Sequence, residues 1–479
     1  MTQNRKPKIG LLGLITEGYE PIFPGITARQ VKYAGELVAR LAPVADIDFP
    51  GPALNRRIIE EKVDYFNSNK YDGILIVLLA YSQGAFLLRA LQNNRLPIAL
   101  AVVQPDQEVL DDFKELDLTV NQGIHGAQDN SNVIVRSGFK CQFFAGNRHE
   151  QHFVDFVEDF AKAAQTYSRL RNMKVAVIGR MQGMGDILAD DMAFFSAVGT
   201  EICHDTIGSV RRFADAVSDA DIEKQIKKDG ETFIVDSKLT VSSHIEAVRI
   251  YLGFKRYLEE KNFGTFTAHF DIFGDDGRFK QLPLYAASQL MADGYGYAAE
   301  GDYICATMVS AAHTVGSSAA GTNAPGAAGE WGGNFTEMYM MDFTKKAIIF
   351  CHAGEGNWTT IRSGLKPHLI DRFLGEGGLE NPPTIMFTPR PGRSTLTSLA
   401  PMGDKKFRLV SAAGEILAKN DLKNCEMPYI FWRPDSGIEA CVEGWLKNGG
   451  THHEVISLGD VRNRWRILCD LWGVEYTEV

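Results

Sequence analysis

Cysteine is sparse: seven in 479 residues, with no CxxC pair among them. That argues against a disulfide scaffold and against a cysteine-rich structural zinc site. Long apolar runs are missing. The strongest, GILIVLLA at 73–80, is far too short to span a bilayer. The opening MTQNRKPKIG carries basic residues but no apolar signal core, so cytoplasm is the expected location. Positive charge is not in excess either. A formal net charge of -10 argues against a general nucleic-acid or anionic-membrane surface, and neither partner is expected. No GxGxxG follows the first apolar run and no Walker A motif occurs, which leaves a dinucleotide or nucleotide site without support.

What is present is a globular composition, 45% apolar and 23% charged. The length calls for two or three domains rather than one core. Over 1–170, short apolar runs at 8–15, 73–80 and 96–103 alternate with segments of helical spacing. This is the pattern of a mostly parallel sheet with helices on both faces, where ligands gather beyond the carboxyl ends of the strands. Over 171–310 the pattern resumes with KVAVIG at 174–179 and FIVD at 233–236. The intervening RMQGMGD reads as a tight strand-to-helix turn, not a phosphate loop. Over 311–479, short apolar segments such as AIIFCHA, TIMFTP and MPYIFWRP alternate with turns, which predicts a β-rich domain. The fold class expected is therefore α/β, two doubly wound parallel-sheet domains followed by a β-rich C-terminal domain. The glycine- and alanine-rich 316–333 reads as a connector or an active-site loop.

The chemistry concentrates between Gly296 and Glu355, in GYAAEGDY, GGNFTEMY and IIFCHAGE. Glu300, Glu337 and His352 are candidate ligands there, and GGTHHEV adds His452 or His453. Two carboxylates with one or two imidazoles form an ordinary inner shell for manganese or zinc. Further upstream, TVNQGIHGAQDN at 119–130 carries Gln122 and His125. It reads as a surface loop whose side chains cap their own backbone, with a sugar-binding loop as the alternative.

The linear order KQLP, GYGYAAEGD, NFTEMY, FCHAGE, KKFRLV, FWRP and GGTHHEV resembles the L-arabinose isomerase family, within the arabinose/fucose isomerase fold. NQGIHG extends the resemblance into the first domain. It implies a divalent metal, usually Mn2+, held by Glu300, Glu337, His352 and His453, with Glu300 and Glu337 also dividing the acid and base work. It places Gln122, His125 and His452 near a bound free monosaccharide, and it implies a homo-oligomer, commonly a hexamer. The activity implied is aldose–ketose isomerisation through an enediolate. Some stretches depart from the family. GRMQGMGDILADDMAFF and HAGEGNW stand where arabinose isomerases carry other residues, which weakens L-arabinose as the substrate more than it weakens the metal site. An epimerase or hydrolase on the same scaffold, or a non-catalytic sugar-binding sensor, are the competing readings.

Overall fold

The computed structural model describes residues 5–274, 277–316, 332–374, 378–418 and 422–479. Most of the glycine-rich 316–333 stretch lies outside them. The chain forms two compact units, one of Arg5–Ser168 with Asn463–Leu471, the other chiefly of Arg169–Arg462 with Trp472–Val479.

In the first unit, β1 (Lys8–Leu14), β2 (Asp46–Asp48), β3 (Gly73–Leu78), β4 (Ile98–Val102) and β5 (Cys141–Ala145) form an all-parallel sheet in the order β2-β1-β3-β4-β5. Every residue of β3 is buried, as a strand covered on both faces requires. Gly10 lies so close to the Phe66 ring that a Cβ there would sit 2.5 Å from it. The 119–130 stretch is not a loop. Glu115–Val120 and Gly123–Arg136 are helices, with Gln122 at the N-cap of the second. Its turn-forming residues hide an apolar stripe, Ala127 and Ile134, that packs on the sheet.

The second unit opens with β6 (Lys174–Ile178), β7 (Glu201–Asp205), β8 (Ile234–Val235), β9 (Thr265–Ala268) and β10 (Gly296–Ala299). Four of these make a parallel sheet, β10-β9-β6-β7. FIVD contributes only the two-residue β8. It leaves this sheet and pairs with β13 (His368–Asp371), which in turn pairs with β14 (Pro383–Met386).

The β-rich part consists of β11 (Gly333–Asp342), β12 (Ala347–Cys351), β15 (Gly392–Pro401), β16 (Phe407–Ile416), β17 (Tyr429–Pro434), β18 (Glu454–Leu458) and β19 (Glu475–Glu478). They run in the order β15-β18-β11-β12-β17-β16-β19, and β15 also pairs with β16 from Gly392↔Ile416 to Pro401↔Phe407. That last pairing closes a barrel. Alternate residues fill it: Ile348, Phe350, Leu396, Val410, Ile430, Trp432 and Ile456 form one core cluster. Between the parallel sheet and the barrel lies the helix Tyr303–Val315, buried along its whole length. Gly296 of β10 and Gly333 of β11 let it approach from both sides. A Cβ on Gly333 would meet the Ala312 methyl at 2.7 Å, and one on Gly296 would overlap the Ala306 carbonyl.

Candidate functional site

Four side chains of the second unit meet where the parallel sheet faces the barrel. Glu300 follows β10 directly, at the carboxyl edge of the sheet. Its backbone is left-handed (φ 66), uncommon for a residue with a side chain. That conformation is pinned at both ends: the Glu300 N–H donates to the Ala268 carbonyl (2.9 Å), and the Met181 N–H donates to the Glu300 carbonyl (2.9 Å). Glu337 lies on β11 opposite Cys351 of β12, just before a register shift that bends the strand. His352 follows β12, and His453 precedes β18. Because β18, β11 and β12 are neighbours, the barrel presents these three side chains together.

His453 Nε2 lies 3.3 Å from Glu300 Oε2 and 3.2 Å from Glu337 Oε1. His352 Nε2 lies 3.4 Å from Glu337 Oε1. The two imidazoles stand 6.0 Å apart at 83°, with the buried Phe335 ring against both (4.7 Å and 5.1 Å). His453 Nε2 is fully buried and makes no aligned hydrogen bond, although two carboxylates face it. One atom each from Glu300, His352 and His453 falls within 4.8 Å of the others, and so does one each from Glu337, His452 and His453. A divalent cation fits this donor set. It would satisfy the orphaned nitrogen.

Each imidazole is backed by a further acid. His453 Nδ1 bonds Asp302 Oδ2 (3.0 Å), and His352 Nδ1 lies 3.0 Å from Glu355 Oε1. Glu355 also accepts from the Tyr297 hydroxyl (2.8 Å), and Asp302 caps the 303–315 helix by accepting from the Cys305 N–H (2.9 Å). Carboxylates behind ligating histidines orient the rings and fix their tautomers. Neither acid stood out in the sequence as more than an acidic neighbour. The signal was there: EGD and HAGE each place an acid two or three residues beyond a ligand candidate.

The charges are strongly coupled. Burial opposes protonation of His453, but Asp302, Glu300 and Glu337 outweigh it and hold its pKa well above the ordinary value. For Glu300, burial favours the neutral acid, yet His453 and then the other two histidines keep its carboxyl below the usual range. Glu454 goes the other way. Burial and the charge of Glu337 push it well above the usual range, while its Oε2 accepts the Met338 N–H (2.9 Å).

His452 is 46% exposed at its side chain, and its Nε2 stands 4.0 Å from Glu337 Oε1. Gln122 and His125 belong to the other compact unit. There Gln122 donates to the Tyr19 hydroxyl (2.8 Å), and His125 lies 3.3 Å from Gln122 Oε1 with its ring over Tyr81 at 4.8 Å. They sit beyond the carboxyl ends of β1 and β3 as a separate polar group.

Comparison with known proteins adds the family. The profile of the L-arabinose isomerase C-terminal domain matches residues 332–475, and that of the L-arabinose isomerase central domain matches residues 182–318. An L-arabinose isomerase of a Nocardioides species is 26% identical over 94% of this chain and 90% of its own length. One from Mycolicibacterium smegmatis is 27% identical over 87% of this chain and 81% of its own, and one from Leuconostoc mesenteroides is 26% identical over 85% and 84%.

Proposed function

This chain belongs to the L-arabinose isomerase family, and on that premise we propose that it interconverts a free aldose and its ketose with a divalent cation held by Glu300, Glu337, His352 and His453. The observation that carries this reading is the pairing of two glutamates with two buried histidines, each histidine backed by its own acid. Isomerisation moves a proton between C1 and C2, so a base must take the carbon-bound proton and an acid must return one. Glu300 and Glu337 supply two carboxylates, each within 3.3 Å of His453 Nε2, and divide that work. A bound divalent cation, manganese by family resemblance, would supply positive charge beside the two sugar oxygens as they become an enediolate. Phe335 keeps both imidazoles in place and keeps water off their faces. His452, exposed next to the cluster, would meet the sugar.

A screen of free pentoses and hexoses in deuterated water with manganese present tests this. An aldose–ketose pair carrying solvent deuterium at the transferred position supports it. Bound metal without any such conversion sinks it and turns the reading to an epimerase or hydrolase on the same scaffold. The sugar itself is proposed no more narrowly than a free aldose, because GRMQGMGDILADDMAFF and HAGEGNW depart from the family beside the cluster.

A homo-oligomer, with Gln122 and His125 reaching a neighbouring subunit's sugar, completes the proposal. Exposed Tyr339, Met340 and Phe343 at the β11–β12 turn support such an assembly. A monomer by light scattering that retains full turnover would exclude it.

A further inference from the structure

The RMQGMGD turn has no place in the reading so far, yet it ends against the cluster. The segment leaves β6 through Gly179 (φ 73) and Gly183 (φ 95). At its start the Met181 N–H is tied to the Glu300 carbonyl. Arg180 then crosses back, donating to the Ile187 carbonyl (2.6 Å) with its guanidinium 5.2 Å over the Tyr303 ring. Ile187 is buried, so Asp186 just before it is delivered to a defined position. That position is His452. One oxygen, Asp186 Oδ2, accepts the His452 backbone N–H (2.8 Å) and lies 2.7 Å from its Nδ1.

We propose that Asp186 is a positioning residue that holds the His452 ring with Nδ1 as donor and Nε2 turned to the sugar. The contact has two parts, both made by that one oxygen. The backbone bond fixes where residue 452 sits, and the side-chain bond fixes which way its ring faces. With the Nδ1 proton pointing at the carboxylate, a neutral His452 keeps its lone pair on Nε2. Nε2 is on the Glu337 side, 4.0 Å from Oε1, and there it accepts a hydroxyl proton from a bound sugar. His453, one residue on, is anchored separately by Asp302. Adjacent histidines with different anchors can be uncoupled, so loss of Asp186 leaves the metal ligand in place. What His452 does for the sugar rests on the isomerase reading; the Asp186–His452 coupling does not.

Two variants and a double variant test it. Asp186→Ala and Asp186→Asn should lower kcat by about tenfold to a hundredfold, the range seen when an orienting partner is removed. Calorimetric Mn2+ affinity should stay within about twofold of wild type, and in a His452→Ala background Asp186→Ala should cost nothing further. In metal-free, 15N-histidine-labelled protein, the His452 ring should leave the Nε2-unprotonated tautomer when Asp186 is replaced. Losses that multiply in the double variant, a fall in Mn2+ affinity in step with kcat, or unchanged His452 ring signals would each overturn the proposal. Should the wild-type protein convert no aldose at all, the isomerase reading fails, and the 15N comparison alone decides the role of Asp186.

Discussion

At the scale of single residues, the ligand candidates could be picked out because acids and histidines are rare inside apolar runs. Their backing acids were marked only by spacing, in EGD and HAGE, and spacing does not tell a buried acid from a surface one. Only the fold shows that Asp302 and Glu355 are buried and that both face imidazoles. Replacing Glu337 by Gln keeps its size and removes its charge. Turnover should fall by about a hundredfold or more and should not return at saturating manganese, as steady-state assays across a manganese titration will show. His313 makes a second prediction, about stability. It is fully buried, with Nε2 3.1 Å from the Tyr295 carbonyl and Nδ1 accepting the Gly333 N–H (3.2 Å). Burial and the nearby Arg169 depress its pKa to about 3. A depressed histidine pKa means that the unfolded chain binds the proton first as pH falls. Its contribution is therefore complete above the unfolded value of about 6.5 and is lost as pH drops towards 3. In urea unfolding, wild-type protein should lose about 2 kcal/mol more than His313→Gln between pH 7.5 and pH 5. Equal losses would show that His313 takes up its proton in the folded state.

Helices with one wet face were readable, and the helix without one was not. Gln151–Leu170 and Ile438–Lys447 show the helical period of a half-buried surface helix. The helix Tyr303–Val315, YICATMVSAAHTV, has none, because all of it is buried and no polar face marks the turns. FIVD yields only the two-residue β8 for the opposite reason: it has strand composition, but its partner lies more than a hundred residues away in β13. The 303–315 helix and the cluster share one residue, Asp302, which caps the helix with Oδ1 and holds His453 with Oδ2. Asp302→Ala should therefore fail twice. Loss of the cap should cost about 1 kcal/mol of stability, and the freed imidazole should weaken manganese binding by about tenfold to a hundredfold. Thermal unfolding of the metal-free protein and calorimetric titration separate the two effects. A stability loss with unchanged metal affinity would show that His453 holds its ring unaided.

At the scale of the whole molecule, alternation of apolar runs and helices was enough to give parallel sheets first and a β-rich part last. Ring closure was not legible, because nothing local marks β15 and β16 as the pair that seals it. The path of the C-terminal segment was hidden as well. Residues 463–471 belong to the unit built from residues 5–168, while 472–479 return to the other. Arg464 pairs there with Glu158 (3.1 Å) and Asp159 (2.8 Å), Trp465 is fully buried, and β19 then lines up with β16. A chain ending after Asp460 should accordingly be lost from the soluble fraction, with no folded remnant by circular dichroism. Recovery of a folded, truncated protein would show that neither unit depends on this segment. The closed barrel also has a consequence in time. Strands in a ring have no free end from which to peel, so their amides should exchange with deuterium only when the ring opens as one event. β11, β12 and β18 carry or border three of the cluster residues, so those side chains inherit the slowest clock in the molecule. β19, bonded through a single edge, should exchange well before them. Mass-resolved exchange that finds β11 opening as early as β19 would mean the ring breathes one stave at a time.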